Sequence, residues 1–142
     1  MNPLNAGEDV MPSVEFIRPD KNFHKDPKTG WSCYPFMEGA NANINGVHVV
    51  AIYPGQARGN HYHEKTDEIL LMFSGEGEFH WEEDGKPRKK SVGGGPMLMR
   101  IPAGIPHAFR NTGDATVYLL AVREGEDDPT RPDIVRKVIV KV

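Results

Sequence analysis

The sequence predicts an all-β fold, a small jelly-roll barrel of two packed sheets, on two observations. The 142 residues include 15 glycines and 12 prolines, well above the usual share of these residues. They recur between short runs rich in valine, isoleucine and aromatic residues, a spacing typical of strands joined by turns. Apolar residues at helical spacing and internal repeats are not evident. We therefore expect any helix to be short.

Eight segments have the composition of strands, and eight strands suit a double-sheet jelly roll. Asp84-Gly85 predicts a type I′ hairpin, because both residue types tolerate positive φ. In the strand before this hairpin, alternation places Phe79 and Trp81 on the inward face and His80 on the other. The predicted strands are residues 47–53, 59–63, 68–74, 77–83, 88–92, 97–101, 107–111 and 116–123.

The barrel is expected to span residues 47–123, flanked by two arms. Residues 1–46 form an N-terminal arm that packs on the barrel or on a partner chain, with an apolar stretch at residues 14–17. Residues 124–142 form a C-terminal tail that ends in a strand. Neither arm is predicted to be a domain, because neither could bury a core of its own.

One predicted strand is apolar on both faces. If Glu68 faces the barrel interior, then Ile69, Leu71 and Phe73 face outward, whereas a half-exposed antiparallel strand normally alternates apolar and polar residues. An apolar outer face predicts a covering layer. A homodimer would provide this layer, and so would the N-terminal arm.

Composition argues against several classes of protein. Seventeen basic and twenty acidic side chains are dispersed along the chain and leave a net charge of -3, so we expect no nucleic-acid partner. The single cysteine, Cys33, cannot form an internal disulfide, and the N-terminus does not resemble a secretion signal. No apolar run approaches the roughly 20 residues of a membrane helix. We expect a cytoplasmic protein without a membrane partner.

Four side chains are predicted to converge on one metal ion. His61 and His63 share a face of their strand, and the polar residues 64–67 can reverse the chain so that Glu68 opens the next antiparallel strand. A turn rich in proline and glycine at residues 102–106 delivers His107 at the start of a strand. Three imidazoles and one carboxylate suit one divalent transition metal per chain, Fe, Mn, Ni, Co, Cu or Zn, better than calcium or magnesium.

These residues resemble the two motifs of the cupin superfamily. The first motif is matched by Gly55, His61, His63, Glu68 and Gly75. The second is matched by Pro102, Gly104, His107 and Asn111, with Pro96 at the position where the motif has its first glycine and Gly95 one residue before it. The resemblance covers residues 47–122 and implies a barrel that is often dimeric. It implies no single reaction, because cupins include dioxygenases, decarboxylases, isomerases, epimerases, lyases and binding proteins.

Three functions therefore stay open for a chain that binds a small molecule. A metal-dependent enzyme of the dioxygenase type is expected first, because an oxidoreductase needs little beyond a redox-active metal with an open position. A sugar isomerase or epimerase, or a lyase, would use the metal as a Lewis acid and would need a positioned acid or base. The third function is a non-catalytic binding protein.

The residues that would contact a substrate are less well defined by the sequence. Tyr53, Met72 and Phe109 are candidates for the pocket beside the metal. His24, His48 and His80 are expected on the surface. Each of Arg58, Arg100 and Arg110 could receive a substrate carboxylate, and the predicted strand register does not choose among them.

Overall fold

The computed structural model describes residues 13–25, 27–28, 32–33, 44–125 and 133–141. These residues form strands and a single 3₁₀ turn, Pro19–Lys21, which confirms the all-β prediction. None of the described segments is a helix with the length and apolar character that crossing a membrane requires.

Twelve strands are present in the described part of the chain. Ten of them form two antiparallel five-stranded sheets, with the orders β1-β9-β6-β11-β4 and β12-β5-β10-β7-β8, while β2 pairs only with β3. The bounds of the strands are β1 Glu15–Ile17, β2 His24–Lys25, β3 Ser32–Cys33, β4 Ile44–Ile52, β5 Ala57–His63, β6 Asp67–Ser74, β7 Gly77–Glu83, β8 Lys86–Val92, β9 Met97–Ile101, β10 His107–Asn111, β11 Val117–Glu124 and β12 Ile134–Arg136.

The eight predicted strands correspond to β4 through β11, and most differences lie at their first residues. The hairpin between β7 and β8 is confirmed, because Asp84 and Gly85 have φ values of 51° and 72°, the positive angles that a type I′ turn requires. Both arms contribute strands to the barrel. Strand β1 joins the first sheet beside β9, and β12 joins the second sheet beside β5.

One predicted neighbour relationship is wrong. Strands β5 and β6 follow each other in sequence, yet they lie in different sheets: β5 pairs with β10 and β12, and β6 pairs with β9 and β11. The short connection at residues 64–66 therefore carries the chain from one sheet to the other. Glu68 consequently approaches the two histidines from the opposite wall of the barrel.

The main core lies between the two sheets. Phe79 is fully buried, and Trp81 packs against the same cluster, as predicted from the alternation in β7. Phe16 of the N-terminal arm meets the ring of Phe79 edge to face, with centroids 5.8 Å apart. The arm is tied to the barrel by Arg18, whose guanidinium donates to the carbonyls of Gly93 and Gly95. The arm thus completes one end of the core.

The apolar outer face of the first sheet is covered in part. Ile69 is 1% exposed and forms a small cluster with Leu98 and Val122, against which Ile17 of the N-terminal arm packs. Phe73 and Val49, farther along the same sheet, are 53% and 75% exposed. The predicted covering layer therefore includes the N-terminal arm at one end of this face, while the other end stays exposed.

Asn111 joins three parts of the chain at the end of β10. Its amide nitrogen donates to the carbonyls of Ile52 and Ala115, each at 2.8 Å, and its amide oxygen accepts from the backbone N–H of Gly113 at 3.0 Å. The side chain is 1% exposed. This motif residue has a structural role, because it satisfies buried backbone groups of β4 and of the loop before β11.

Replacement of this side chain should destabilise the barrel. We expect Asn111→Ala to lower the free energy of unfolding by about 2–3 kcal/mol, because buried backbone groups would lose their hydrogen bonds. The neighbouring exposed Thr112 provides the control, and Thr112→Ala should change this free energy by less than about 0.5 kcal/mol. Urea unfolding measures both values. Equal stability of the two variants would contradict the structural role.

Candidate metal centre

A β-bulge in β5 aims two histidines at the interior. His61 pairs with His107 of β10, and the next pair joins Gly59 to Ala108, so that Asn60 is an extra residue. Asn60 has a φ of 55° and Gly59 a φ of 101°, and a Cβ on Gly59 would lie 2.8 Å from the carbonyl oxygen of His107. Bulges re-aim the side chains that follow them. The bulge and the required glycine therefore position His61 and His63.

The turn before β10 positions the third histidine. Gly104 has a φ of 85°, and its N–H donates to the carbonyl of His63 at 2.7 Å, which ties the turn to β5. Nδ1 of His107 lies 3.0 Å from the carbonyl oxygen of Ile105, so this nitrogen carries the proton in the neutral ring. Nε2 of His107 then faces the interior, where it can bind a metal through its lone pair.

Glu68 joins the histidines from the opposite sheet. Its Oε2 lies 3.0 Å from Nε2 of His63, and its Oε1 lies 3.0 Å from Nε2 of His107. The structure thus brings together the four residues that the sequence singled out as ligands, with one donor atom from each, and all four atoms lie within 4.8 Å of one another.

This geometry fits a divalent transition metal. Nitrogen and oxygen ligands lie about 2.0–2.2 Å from such an ion, so ligand atoms in adjacent positions are about 3 Å apart and atoms in opposite positions about 4 Å apart. The two contacts of Glu68, each 3.0 Å, match adjacent positions. All four ligand atoms lie within 4.8 Å of one another, so the widest separations would have to shorten slightly around an ion. An ion bound there would replace the hydrogen bonds between Glu68 and the rings of His63 and His107.

Burial and hydrogen bonds within the cluster determine the charges of its side chains. Burial and the neighbouring His107 lower the pKa of His61 to about 4, so this imidazole is neutral near pH 7. Burial alone would raise the pKa of Glu68, but hydrogen bonds from His107 and His63 lower it below its ordinary value. For His63, hydrogen bonds to Glu68 and Asp133 outweigh burial and raise the pKa. A metal binds a carboxylate and neutral imidazoles, so Glu68 and His61 already have the required charge, whereas a metal must displace a proton from the ring of His63.

Two cavities meet at the cluster. An inner cavity of about 80 Å³ lies behind it and is lined mainly by apolar side chains, among them Phe79 and Phe109. A larger cavity of about 570 Å³ opens outside it, and this volume suits a small organic ligand. His61 and Glu68 line both cavities. A molecule in the outer cavity therefore has access to the cluster.

The three predicted pocket residues have different positions. Tyr53 lines the outer cavity and is 59% exposed. Phe109 lines the inner cavity and is 2% exposed. Met72 is fully buried in the core and lines neither cavity, because it lies farther along β6, toward the end of the barrel away from Glu68. The prediction that Met72 lines the pocket is therefore wrong.

The strand register also distinguishes the arginines. Arg58 lines both cavities. Arg100 of β9 lies opposite Glu15 of β1 in the strand register, and Arg110 of β10 lies opposite Glu78 of β7. Neither of these arginines lines either cavity. Arg123, which the sequence did not single out, lines the outer cavity and lies 3.6 Å from the carboxylate of Asp133. Two guanidinium groups therefore lie at the outer cavity.

His48 is the histidine whose position the sequence did not reveal. It is exposed, as predicted, but it lines the outer cavity with His61 and Glu68. His48 lies on the inward face of β4, opposite Ala121 of β11. Alternation along the predicted strand could have indicated this, because His48 lies an even number of residues before the inward-facing Ile52. His24 is exposed and His80 is half-buried.

Fold and site together define a class of protein: a small double-sheet barrel that presents three histidines and one glutamate to an internal cavity. The family model described as the cupin domain matches residues 48–123. The chain belongs to the cupin family.

Two characterised proteins show sequence similarity over part of the chain. The spore coat polysaccharide biosynthesis protein SpsL of Bacillus subtilis (strain 168) is 29% identical over an alignment of 89 residues, and the match covers 57% of this chain and 59% of SpsL. Protein SchB of Streptomyces halstedii is 34% identical over 86 residues, 61% of this chain and 57% of SchB. The matched region thus spans less than two-thirds of either relative.

Solved structures with the same fold cover more of the chain. A 3,4-ketoisomerase from Helicobacter canadensis has a TM-score of 0.66 at 14% identity and covers 89% of this chain and 92% of its own. QdtA, a sugar 3,4-ketoisomerase from Thermoanaerobacterium thermosaccharolyticum in complex with TDP, has a TM-score of 0.62 at 18% identity, with 90% of each chain covered. At these identities the likeness shows a shared fold.

Proposed function

We propose that this cupin is a metal-dependent isomerase or epimerase that acts on a sugar, with a nucleotide-linked keto sugar as the first candidate substrate. The observation that carries this proposal is the shared cavity: a metal-binding cluster and two side chains capable of proton transfer, His48 and Tyr53, line the same space. The sequence alone favoured a dioxygenase. An imidazole at the cavity now supports the isomerase alternative, for which an acid or base was the missing requirement.

The similar proteins support the same choice. The name of SpsL refers to polysaccharide biosynthesis, and two of the proteins with this fold are 3,4-ketoisomerases, one of them, QdtA, described with TDP-4-keto-6-deoxyglucose. Arg58 at the outer cavity would suit the diphosphate of such a substrate. Charge, volume and proton-transfer groups are therefore consistent with one substrate class.

The reaction would move one proton between neighbouring carbons of the sugar. A base must take the proton from the carbon beside the carbonyl. In an isomerisation an acid gives a proton to the former carbonyl carbon, while the proton of the neighbouring hydroxyl passes to the former carbonyl oxygen. In an epimerisation the proton returns to the opposite face of the same carbon. We assign the base role to His48, because an imidazole exchanges protons near neutral pH, and Tyr53 is the candidate acid. A bound divalent ion would polarise the carbonyl and so acidify this proton. Arg58 would hold the substrate in register.

The metal itself forms part of the proposal. His61, His63, Glu68 and His107 would hold one divalent transition metal per chain, which we propose on the convergence of their donor atoms. The ligand set suits several metals, including Fe, Mn, Co, Ni, Cu and Zn.

We also propose that two copies of the chain form a homodimer through the exposed part of the first sheet. Strand β4 lies at the edge of that sheet, and Val47, Val49, Phe73 and Tyr118 are 56%, 75%, 53% and 48% exposed. A long apolar edge strand favours pairing with another strand. A second copy offers an identical apolar face, as the two-fold symmetry of a dimer requires.

Removal of a ligand should remove the metal. Protein purified without added metal is expected to contain about one divalent ion per chain, and Glu68→Gln and His63→Ala should lose at least most of it, because each removes one ligand. His80→Ala, a histidine outside the cluster, is the control and should keep its metal. Elemental analysis measures the content. Equal metal in Glu68→Gln and the wild-type protein would contradict the site.

The isomerase activity can be measured by solvent exchange. When TDP-4-keto-6-deoxyglucose is incubated with the metal-loaded protein in D₂O, the proton beside the carbonyl should be replaced by deuterium in the ¹H NMR spectrum. His48→Gln should slow this exchange by about 100-fold or more without loss of metal, whereas His80→Gln should have the wild-type rate.

Two results would speak against an isomerase, and a third would speak only against the role of His48. Substrate-dependent uptake of dioxygen without proton exchange would favour the dioxygenase. Binding of the sugar without any exchange would favour a non-catalytic binding protein. An unchanged exchange rate in His48→Gln would exclude His48 as the base.

The dimer is tested by light scattering after size-exclusion chromatography. The wild-type protein should have about twice the chain mass of 15.8 kDa. Val49→Glu should be monomeric, because two carboxylates would be buried at the contact. Ser91→Glu, on the exposed strand β8 of the other sheet, should stay dimeric. A monomeric wild-type protein would contradict the proposal.

A further inference from the structure

A buried carboxylate outside the cluster contacts one of its histidines. Asp133 is 5% exposed, and its Oδ2 lies 3.0 Å from Nδ1 of His63, 70 residues earlier in the chain. The same oxygen accepts a hydrogen bond from the hydroxyl of Thr66 at 2.6 Å, and Oδ1 accepts from the backbone N–H of Lys65 at 2.7 Å. The guanidinium of Arg123 lies 3.6 Å away. The carboxylate is therefore held from several sides.

This contact fixes the orientation of the His63 ring. A carboxylate only accepts hydrogen bonds, so Nδ1 of His63 must carry a proton. Nε2 is then the nitrogen that faces the cluster, 3.0 Å from Glu68. A carboxylate behind a ligand histidine holds its tautomer and increases its basicity.

Asp133 is placed there by the chain segment that follows it. Strand β12 pairs with residues 61–63 of β5, and the N–H of Glu64 donates to the carbonyl of Asp133 at 2.9 Å. We call residues 133–140 the tail segment. Its strand, β12, pairs with the backbone of His61 and His63, and Ile134 lines the outer cavity.

The far end of the tail segment is held by the bulge residue of β5. Oδ1 of Asn60 accepts from the N–H groups of Ile139 and Val140, both at 2.9 Å, and its Nδ2 donates to the carbonyl of Val140 at 3.0 Å. Val140 is 7% exposed. The residue that aims His61 inward thus also binds the tail segment, so both ends of this segment are attached to the metal-site strand.

We propose that Asp133 is a positioning residue for His63, and that binding of the tail segment to the barrel and binding of metal to the cluster are coupled. This inference rests on the proposed metal site. If the bound tail segment raises metal affinity by some factor, metal must favour the bound tail segment by the same factor.

The affinity for Co²⁺, measured by competition with a chromophoric chelator, tests the role of Asp133. Asp133→Ala should weaken binding by about 10–100-fold, the range observed when such partners of a ligand histidine are removed. Asp133→Asn keeps the size of the side chain and one acceptor oxygen, and should weaken binding less. Thr66→Val removes one hydrogen bond to the same carboxylate without touching His63, and its affinity should stay within a few-fold of the wild type.

Hydrogen exchange tests the coupling directly. Co²⁺ should slow amide exchange in residues 134–140 of the wild-type protein and should have a smaller effect in Asp133→Asn. A purely structural role of Asp133 would alter exchange equally with and without metal. Wild-type Co²⁺ affinity in Asp133→Asn and Asp133→Ala would overturn this inference alone, whereas a wild-type protein that binds no Co²⁺ would overturn the metal site itself. If Asp133→Ala does not fold, Asp133→Asn still decides.

Discussion

The site depends on the contacts between the carboxylate of Glu68 and two histidines of the opposite sheet. This carboxylate extends from one sheet and binds two histidines of the other, with each of its oxygens 3.0 Å from a ring nitrogen. A glutamate that is 8% exposed would be costly without such partners. The two sheets must therefore hold a fixed separation at this end of the barrel. The bulge at Asn60, the glycine at position 59 and the turn before His107 position the histidines that meet this carboxylate.

Much of this arrangement could be predicted from the sequence, because the signals are local. The alternation of β7 indicated which face Phe79 occupies, and positive φ at Asp84-Gly85 follows from the residue types. The two-residue spacing of His61 and His63 put both rings on one face of a strand. The turns predicted at residues 64–67 and 102–106 then indicated Glu68 and His107 as further ligands, and the resemblance to the cupin motifs pointed to the same four residues.

The features that were missed depend on contacts between distant parts of the chain. The prediction that β5 and β6, adjacent in sequence, are neighbours in one sheet is wrong, because the connection at residues 64–66 crosses between the sheets. Asp133 has no local pattern that marks it, since its partner lies 70 residues away. Met72 has the same inward orientation as Glu68, but it is too far along β6 to reach the cavity. Alternation predicts which face of a strand a side chain occupies. Whether that side chain reaches a cavity also depends on its position along the strand, which only the three-dimensional register gives.

The outer cavity and the candidate metal cluster are formed by different parts of the barrel. The four candidate ligands lie on strands β5, β6 and β10, each of which has a partner on both sides. Much of the cavity wall comes from the edge strand β4, which contributes His48, from Tyr53 directly after that strand, and from Ile134 of the tail segment. Substitutions on β4 can therefore change which molecules fit while the inner ligand set stays intact. In evolution, this division would let one metal centre acquire new substrates by exchange of its outer wall.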